Sequence, residues 1–208
     1  MAHASKRHRK NLERVDATKL HTVDEAITAL QNLSPTKFDE TVEIVLNLSV
    51  DPKKTDQLIR GSVSLPRGLG REKKVIVFAE GNQADAARAA GAIEVGGEDL
   101  AKKITDGWLD FDVAVATPGT MKFVGKLGKV LGPQGKMPSP KAGTVTDDVA
   151  KAVQEFRAGK IEYRTDAGAS VHAPVGKRSF AKDALRENIT AFLDHIKAAR
   201  PPSAKGEF

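Results

Sequence analysis

The chain has 208 residues, a formal net charge of +6 and a sequence pI near 9.5. It has no cysteine, which excludes a disulfide scaffold, a thiolate zinc site and a cysteine nucleophile. No apolar run approaches the roughly 20 residues of a membrane span, and the basic start lacks the apolar stretch of a secretory signal. The expectation is a cytoplasmic protein, and its basic balance favours a polyanionic partner such as nucleic acid or an anionic membrane face.

Lys6, Arg7, His8, Arg9 and Lys10 form a basic N-terminal tail. Thr22-Val23-Asp24-Glu25 has the spacing of a capping box and announces a first helix, with Ile27 and Leu30 on its apolar stripe. Val42, Ile44, Leu46, Leu48 and Val50 alternate with mostly polar neighbours, the period of a long strand with one buried face. Asp51-Pro52 ends it, a second strand covers 61–65, and Pro66-Arg67-Gly68-Leu69-Gly70 breaks the chain.

The texture then changes. Val75-Ile76-Val77-Phe78-Ala79 is a continuous apolar run, as in a strand covered on both faces. A short helix that Asn82 can cap follows, then a strand over 92–95, a helix with Leu100 and Ile104 on one face, and a strand over 113–116. This alternation predicts a small parallel sheet with right-handed crossovers.

A loop over 128–143 is rich in glycine, proline and lysine, and no acid lies between Asp112 and Asp147. Thr146 is the expected cap of a helix carrying Val149, Val153 and Phe156. Residues 161–164 and 170–172 read as a hairpin joined through Asp166-Ala167-Gly168. A last helix places Leu185, Ile189, Phe192, Leu193 and Ile196 on one face.

Neither end of the chain can bury a core alone. Residues 1–66 and 159–208 together make a two-layer α+β domain, an antiparallel sheet with helices. Residues 67–158 are then an inserted α/β domain. Two crossings join them, at 66–70 and 157–160, with Gly68, Gly70 and Gly159 as hinge positions.

Catalytic and cofactor motifs are weak. Gly68-Leu69-Gly70 lacks the third glycine of a dinucleotide fingerprint and precedes its strand. Gly132-Pro133-Gln134-Gly135-Lys136-Met137 is too short for a phosphate loop, and Met137 replaces the magnesium-binding hydroxyl. None of the histidines, at 3, 8, 21, 172 and 195, makes a zinc-type pair. The expectation is no catalytic residue, metal or cofactor; a nucleotide-dependent enzyme and a sequence-indifferent RNA chaperone are the alternatives.

The nucleic-acid reading has better material. Lys37-Phe38 sets an aromatic beside a cation at the strand entry; spacing alone leaves Phe38 equally placed as an RNA platform or a core residue. Lys53, Lys54 and Arg60 flank the connection between two strands, and the lysine-rich loop can track phosphates.

Several motifs also carry a resemblance. They are Lys37-Phe38-Asp39-Glu40-Thr41-Val42-Glu43; Asp56-Gln57 through Arg60-Gly61, Leu65-Pro66 and Gly68-Leu69-Gly70; and Asp106-Gly107-Trp108 with Phe111-Asp112. Gly125-Lys126-Leu127-Gly128 through Leu131-Gly132-Pro133-Gln134-Gly135-Lys136-Met137-Pro138, with Pro140-Lys141-Ala142-Gly143-Thr144-Val145, is the strongest. His172-Ala173-Pro174-Val175-Gly176-Lys177 completes the set. In this order, from about residue 20 onward, they resemble the bacterial form of the universal large-subunit ribosomal protein L-one family.

The resemblance implies that the inserted domain is Rossmann-like, with three layers. It implies that the split domain grips 23S rRNA to build the mobile side stalk of the ribosome. It further implies contact with exit-site tRNA, assistance to its release, and repression of the protein's own operon through leader mRNA. Carried over by motif, Lys37, Phe38 and Thr41 are rRNA contacts, with His172 and Lys177 beside them. Lys136 and Lys141 are auxiliary RNA contacts, and Lys53, Lys54 and Arg60 meet tRNA or rRNA phosphates. The family pattern continues beyond Lys205-Gly206-Glu207-Phe208 into a strand and a Thr-Met-Gly segment that touches RNA. A chain ending at Phe208 is expected to lack that part of the RNA face.

Overall fold

The computed structural model describes residues 5–16 and 18–204. His3 and the 205–208 segment, both singled out above, lie outside the described residues. The N-terminal basic run forms a helix, α1 (Lys6–Leu12), where a tail is expected because the run has no apolar stripe. Helix α2 (Val23–Gln31) begins with the expected capping box. The Glu25 amide donates to the Thr22 hydroxyl (3.3 Å), and the Thr22 amide donates to the Glu25 carboxylate (2.9 Å).

Strand β1 (Thr41–Asn47) is shorter than expected. Leu48 and Val50 lie past its end yet stay buried, because the chain turns back over the core and the Leu48 amide donates to Ala169 O (2.9 Å). Strand β2 (Arg60–Ser64) follows. Next come β3 (Val75–Phe78), α3 (Asn82–Ala89), β4 (Glu94–Gly96), α4 (Glu98–Thr105) and β5 (Val113–Ala116). Two short helices, α5 (Met121–Val124) and α6 (Gly128–Leu131), lead into the loop. Helix α7 (Val149–Ala158), β6 (Lys160–Arg164), β7 (Ser170–Lys177) and α8 (Lys182–Ala198) complete the order.

Two of the expected caps are corrected. Gly81 precedes α3, so Asn82 is its first helical residue. Asp148 caps α7 by accepting from the Lys151 amide (3.1 Å), while Thr146 accepts from the Asp148 amide one step earlier (3.2 Å).

Among the described residues the strands form three small sheets. β3 is central in a parallel sheet of order β4-β3-β5, with Ile76 beside Glu94 on one side and Ala114 on the other. Its alternation divides the apolar residues between two layers. Val75, Val77, Val113 and Val115 pack with Ala84, Ala87, Val153 and Phe156 of α3 and α7. Ile76, Phe78, Ala114 and Ala116 pack with Leu100, Ile104, Val124, Leu127 and Leu131 of α4 to α6. Helices on both faces are why β3 and β5 are apolar at every position.

The other strands form two antiparallel ribbons, β1-β7 and β2-β6. The expected β6-β7 hairpin is reduced to one bridge, Thr165 to Val171. Each of its strands finds its ladder elsewhere, β6 with β2 and β7 with β1. A short connection does not oblige two strands to pair when each has a longer partner. α8 covers the ribbons: Phe192 and Ile196 pack on Tyr163 and Val171, and Leu185 packs with Val42, Val175 and Ile27 of α2. These apolar clusters are distinct from those around the parallel sheet.

Candidate nucleic-acid interface

Period two along β1 turns Val42 inward and leaves Thr41, Glu43, Val45 and Asn47 exposed. The antiparallel register sets Thr41 opposite Lys177 and Val45 opposite His172. The Lys177 ammonium donates to the Thr41 hydroxyl (2.9 Å). Three residues before β1 starts, Phe38 is 71% exposed. This resolves the alternative that spacing left open: the ring is outside the core. Lys37 beside it is exposed too. The structure therefore gathers Lys37, Phe38, Thr41 and Lys177 at one end of the ribbon, with His172 farther along. The His172 ring lies 3.4 Å from Asp166. The Asp166 carboxyl is held below the usual range by the Ser170 and Gly168 amides, with His172 adding to them.

The loop carrying Phe38 is fastened from behind. Arg178, on the turn between β7 and α8, donates to Glu40 (2.6 Å) and to the carbonyls of Gln31 (3.0 Å) and Leu33. Its bond, foremost, holds the Glu40 carboxyl below the usual range, and Arg7 assists from the other side (3.0 Å). The Ser179 hydroxyl and amide both donate to Asp39 (2.6 and 3.1 Å). Residues on both sides of Lys37-Phe38 are thus pinned while the pair itself projects. Nothing in the sequence pattern singles out Arg178, because its partners lie about 140 positions away.

A second basic group lies on the β2-β6 ribbon. Arg60 stands directly opposite Arg164, and both are exposed. Like charges facing across a ladder are unfavourable unless an anion lies between them. Among the described residues neither has an ion-pair partner within 4.0 Å. Arg164 is absent from the sequence candidates; its signal is visible only in the strand register. Lys53 and Lys54 are exposed on the turn before β2. A cavity of about 460 Å³ separates Arg60, Arg164 and His172 from Gly132, Gly135 and Met137 of the loop after α6.

The two lysines singled out in that loop differ. Lys141 is exposed. Lys136 is engaged internally and does not project: its ammonium donates to Leu109 O (3.0 Å) and lies 4.8 Å from the centre of the Phe111 ring. Its place in the motif is accounted for by a contact that holds the loop against the parallel-sheet layer.

The two chain crossings meet in space. Gly68 and Gly159 both have left-handed φ (+62° and +118°), and a Cβ on Gly159 would lie 2.5 Å from Gly68 Cα. Gly70 also has a left-handed φ of +72°. Fully buried Asn188 of α8 ties the first crossing down. Its amide donates to Gly68 O (2.9 Å) and Val175 O (2.8 Å), and its oxygen accepts from the Arg67 amide (2.9 Å). Sequence reasoning misses Asn188, although one polar residue interrupting the stripe Leu185, Phe192, Ile196 is a signal for it.

Close by, the Lys73 ammonium donates to Lys160 O (2.8 Å). Burial pushes the Glu162 carboxyl up, against the pull of Arg60, Lys73 and Lys160. It likewise pushes the Lys73 ammonium down, against Glu162 and Asp112. A raised carboxyl is a burden when ionised, so protonation as pH falls stabilises the fold. Glu162→Gln is therefore expected to raise Tm at pH 7. The gain should disappear below the unfolded carboxyl value of roughly 4.3, where wild type is protonated in both states. Thermal melts of both proteins across that range check it, and a variant less stable at pH 7 would show that the ionic attractions outweigh burial.

A model of the ribosomal protein L1p/L10e family matches residues 30–207. The large ribosomal subunit protein uL1 of Lactobacillus gasseri is 54% identical over 208 residues, 100% of this chain and 90% of that relative. Its counterpart in Lactobacillus johnsonii is 52% identical over the same 208 residues, again 100% of this chain and 90% of the relative. The one in Lactobacillus delbrueckii subsp. bulgaricus is 55% identical over 196 residues, 94% of this chain and 85% of that relative.

Proposed function

The chain belongs to the ribosomal protein L1p/L10e family, and on that premise we propose that it binds 23S rRNA directly and builds the mobile side stalk of the large ribosomal subunit. It is a structural, non-enzymatic protein of the large subunit, as its relatives are, and it works on the ribosome in the cytoplasm. The observation that carries RNA binding is the pinned loop with Phe38 71% exposed, beside Lys37, Thr41 and Lys177. An aromatic held outside the core beside cations offers a stacking platform, and the cations position phosphates.

In this reading residues 1–66 and 159–208 act as one RNA-binding domain, and 67–158 form an inserted Rossmann-like domain. Gly68, Gly70 and Gly159 set the hinge between them. Exit-site tRNA is met by the basic group of Lys53, Lys54, Arg60 and Arg164, and Lys141 adds an auxiliary RNA contact. The surface around Phe38 also takes the leader of the protein's own operon mRNA, so that free protein represses its synthesis.

The test is binding to the stalk rRNA fragment across a salt series, against a scrambled RNA of equal length. Selective binding with a slope of roughly 0.7–0.9 per neutralised phosphate is expected; equal binding to both RNAs would overturn the reading. Phe38→Ala should weaken stalk binding by about 1–3 kcal/mol, roughly 5- to 150-fold. Its Tm should stay unchanged, because the ring is not in the core. A fall in Tm with no separate loss of affinity would return Phe38 to a packing role.

A further inference from the structure

We propose that α1 (Lys6–Leu12) is a phosphate-gripping arm that extends the Phe38 site along the RNA backbone. The proposal rests on the RNA-binding reading above and assigns a role to a segment that reading leaves out. Helix α1 buries no residue and contributes nothing to an apolar core. It is held by one stripe of polar contacts at i, i+4 and i+7. Arg7 reaches Glu40 (3.0 Å) and Ser34 O (3.3 Å), the Asn11 side chain accepts from the Ser34 amide (2.9 Å), and Arg14 donates to Asn32 O (2.9 Å). All of these partners belong to the segment that leads into β1. Arg7 and Arg178 grip the same carboxylate, two residues from Phe38.

With that stripe facing the loop, a 100° turn per residue puts Lys6, Arg9 and Lys10 together on one flank, at i, i+3 and i+4. All three are exposed, and none has an ion-pair partner among the described residues. The arrangement is poor for the helix itself. Like charges at i, i+4 repel, and the first turn carries cations and no acid where the macrodipole favours anions. A row of phosphates beside the flank converts both penalties into attraction. The docking contacts fasten the helix to the segment that carries the exposed ring, with Arg7 held by Glu40 two residues from Phe38. Phosphate contacts carry no base information, so the arm adds affinity and salt dependence without selectivity.

The experiment compares the triple variant Lys6→Gln, Arg9→Gln, Lys10→Gln with wild type, on the stalk rRNA fragment and on the scrambled RNA. The salt slope should fall by about 2–3, roughly 0.7–0.9 for each phosphate that is no longer neutralised. The ratio of affinities for the two RNAs should hold. A second triple variant, Arg88→Gln, Lys102→Gln, Lys151→Gln, removes the same net charge from helices around the parallel sheet and should leave the slope near wild type. An unchanged slope in the first variant overturns the arm. Equal falls in both variants overturn it too, because net charge alone would then explain the effect. If wild type itself fails to prefer the stalk fragment, it is the RNA-binding reading that fails. All the substituted side chains lie on exposed residues, and circular dichroism checks that each variant keeps its fold.

Discussion

Asn188→Ala is expected to destabilise the protein by about 3–5 kcal/mol. The side chain is fully buried and completes three main-chain hydrogen bonds, to Gly68 O, Val175 O and the Arg67 amide. Truncation leaves all three groups without a partner and opens a small cavity. Each unmade bond at a buried group costs roughly 1–3 kcal/mol, and partial collapse of the site keeps the sum below simple addition. Asn188→Asp tests the same network differently. It replaces two donors with an oxygen facing two carbonyls, so it should be worst at neutral pH and recover partly in acid, where a protonated carboxyl donates once. Urea unfolding at pH 7 and pH 5 measures both. A cost below about 1 kcal/mol for Asn188→Ala would mean that water or neighbouring groups satisfy the crossing as well as the side chain does.

Gly159→Ala is expected to cost about 3–5 kcal/mol or to force the two crossings apart. A φ of +118° is hostile to any side chain, and the added carbon would lie 2.5 Å from Gly68 Cα and 3.1 Å from Leu69 N. Those atoms are backbone and cannot swing away. Gly107→Ala separates the two causes. It has a comparable φ of +103° with nothing among the described residues within 4 Å of the new carbon, so it should show backbone strain alone, about 1–2 kcal/mol. Urea unfolding of the two variants measures the difference, and equal costs at the two positions would remove the close approach of the crossings as a cause.

Local pattern made much of the secondary structure legible. The capping box at Thr22, the apolar runs of β3 and β5 and the stripe of α8 are each written within a few consecutive residues. The errors lie where a local signal competes with a distant partner. β6 and β7 read as a hairpin, but each has a longer ladder with a strand about 100 or more positions earlier. Leu48 and Val50 keep their burial while leaving the strand, so alternation reports the buried face correctly and the hydrogen bonding wrongly. α1 escapes notice because a helix held by polar contacts has no hydrophobic period to read.

By itself the sequence pointed to a polyanionic partner, through its basic balance, and determined the family, through motifs in a set order. It also determined which residue types stand at the strand entry. It could not decide whether Phe38 is core or surface, because one aromatic next to a strand has no period of its own. It could not distinguish Lys141, which projects, from Lys136, which is bonded to Leu109 O. Nor could it pair Arg60 with Arg164, or bring Arg178 and Asn188 to the loops they hold. Each of those depends on which distant segment shares the same few ångströms, and only the packed chain sets that.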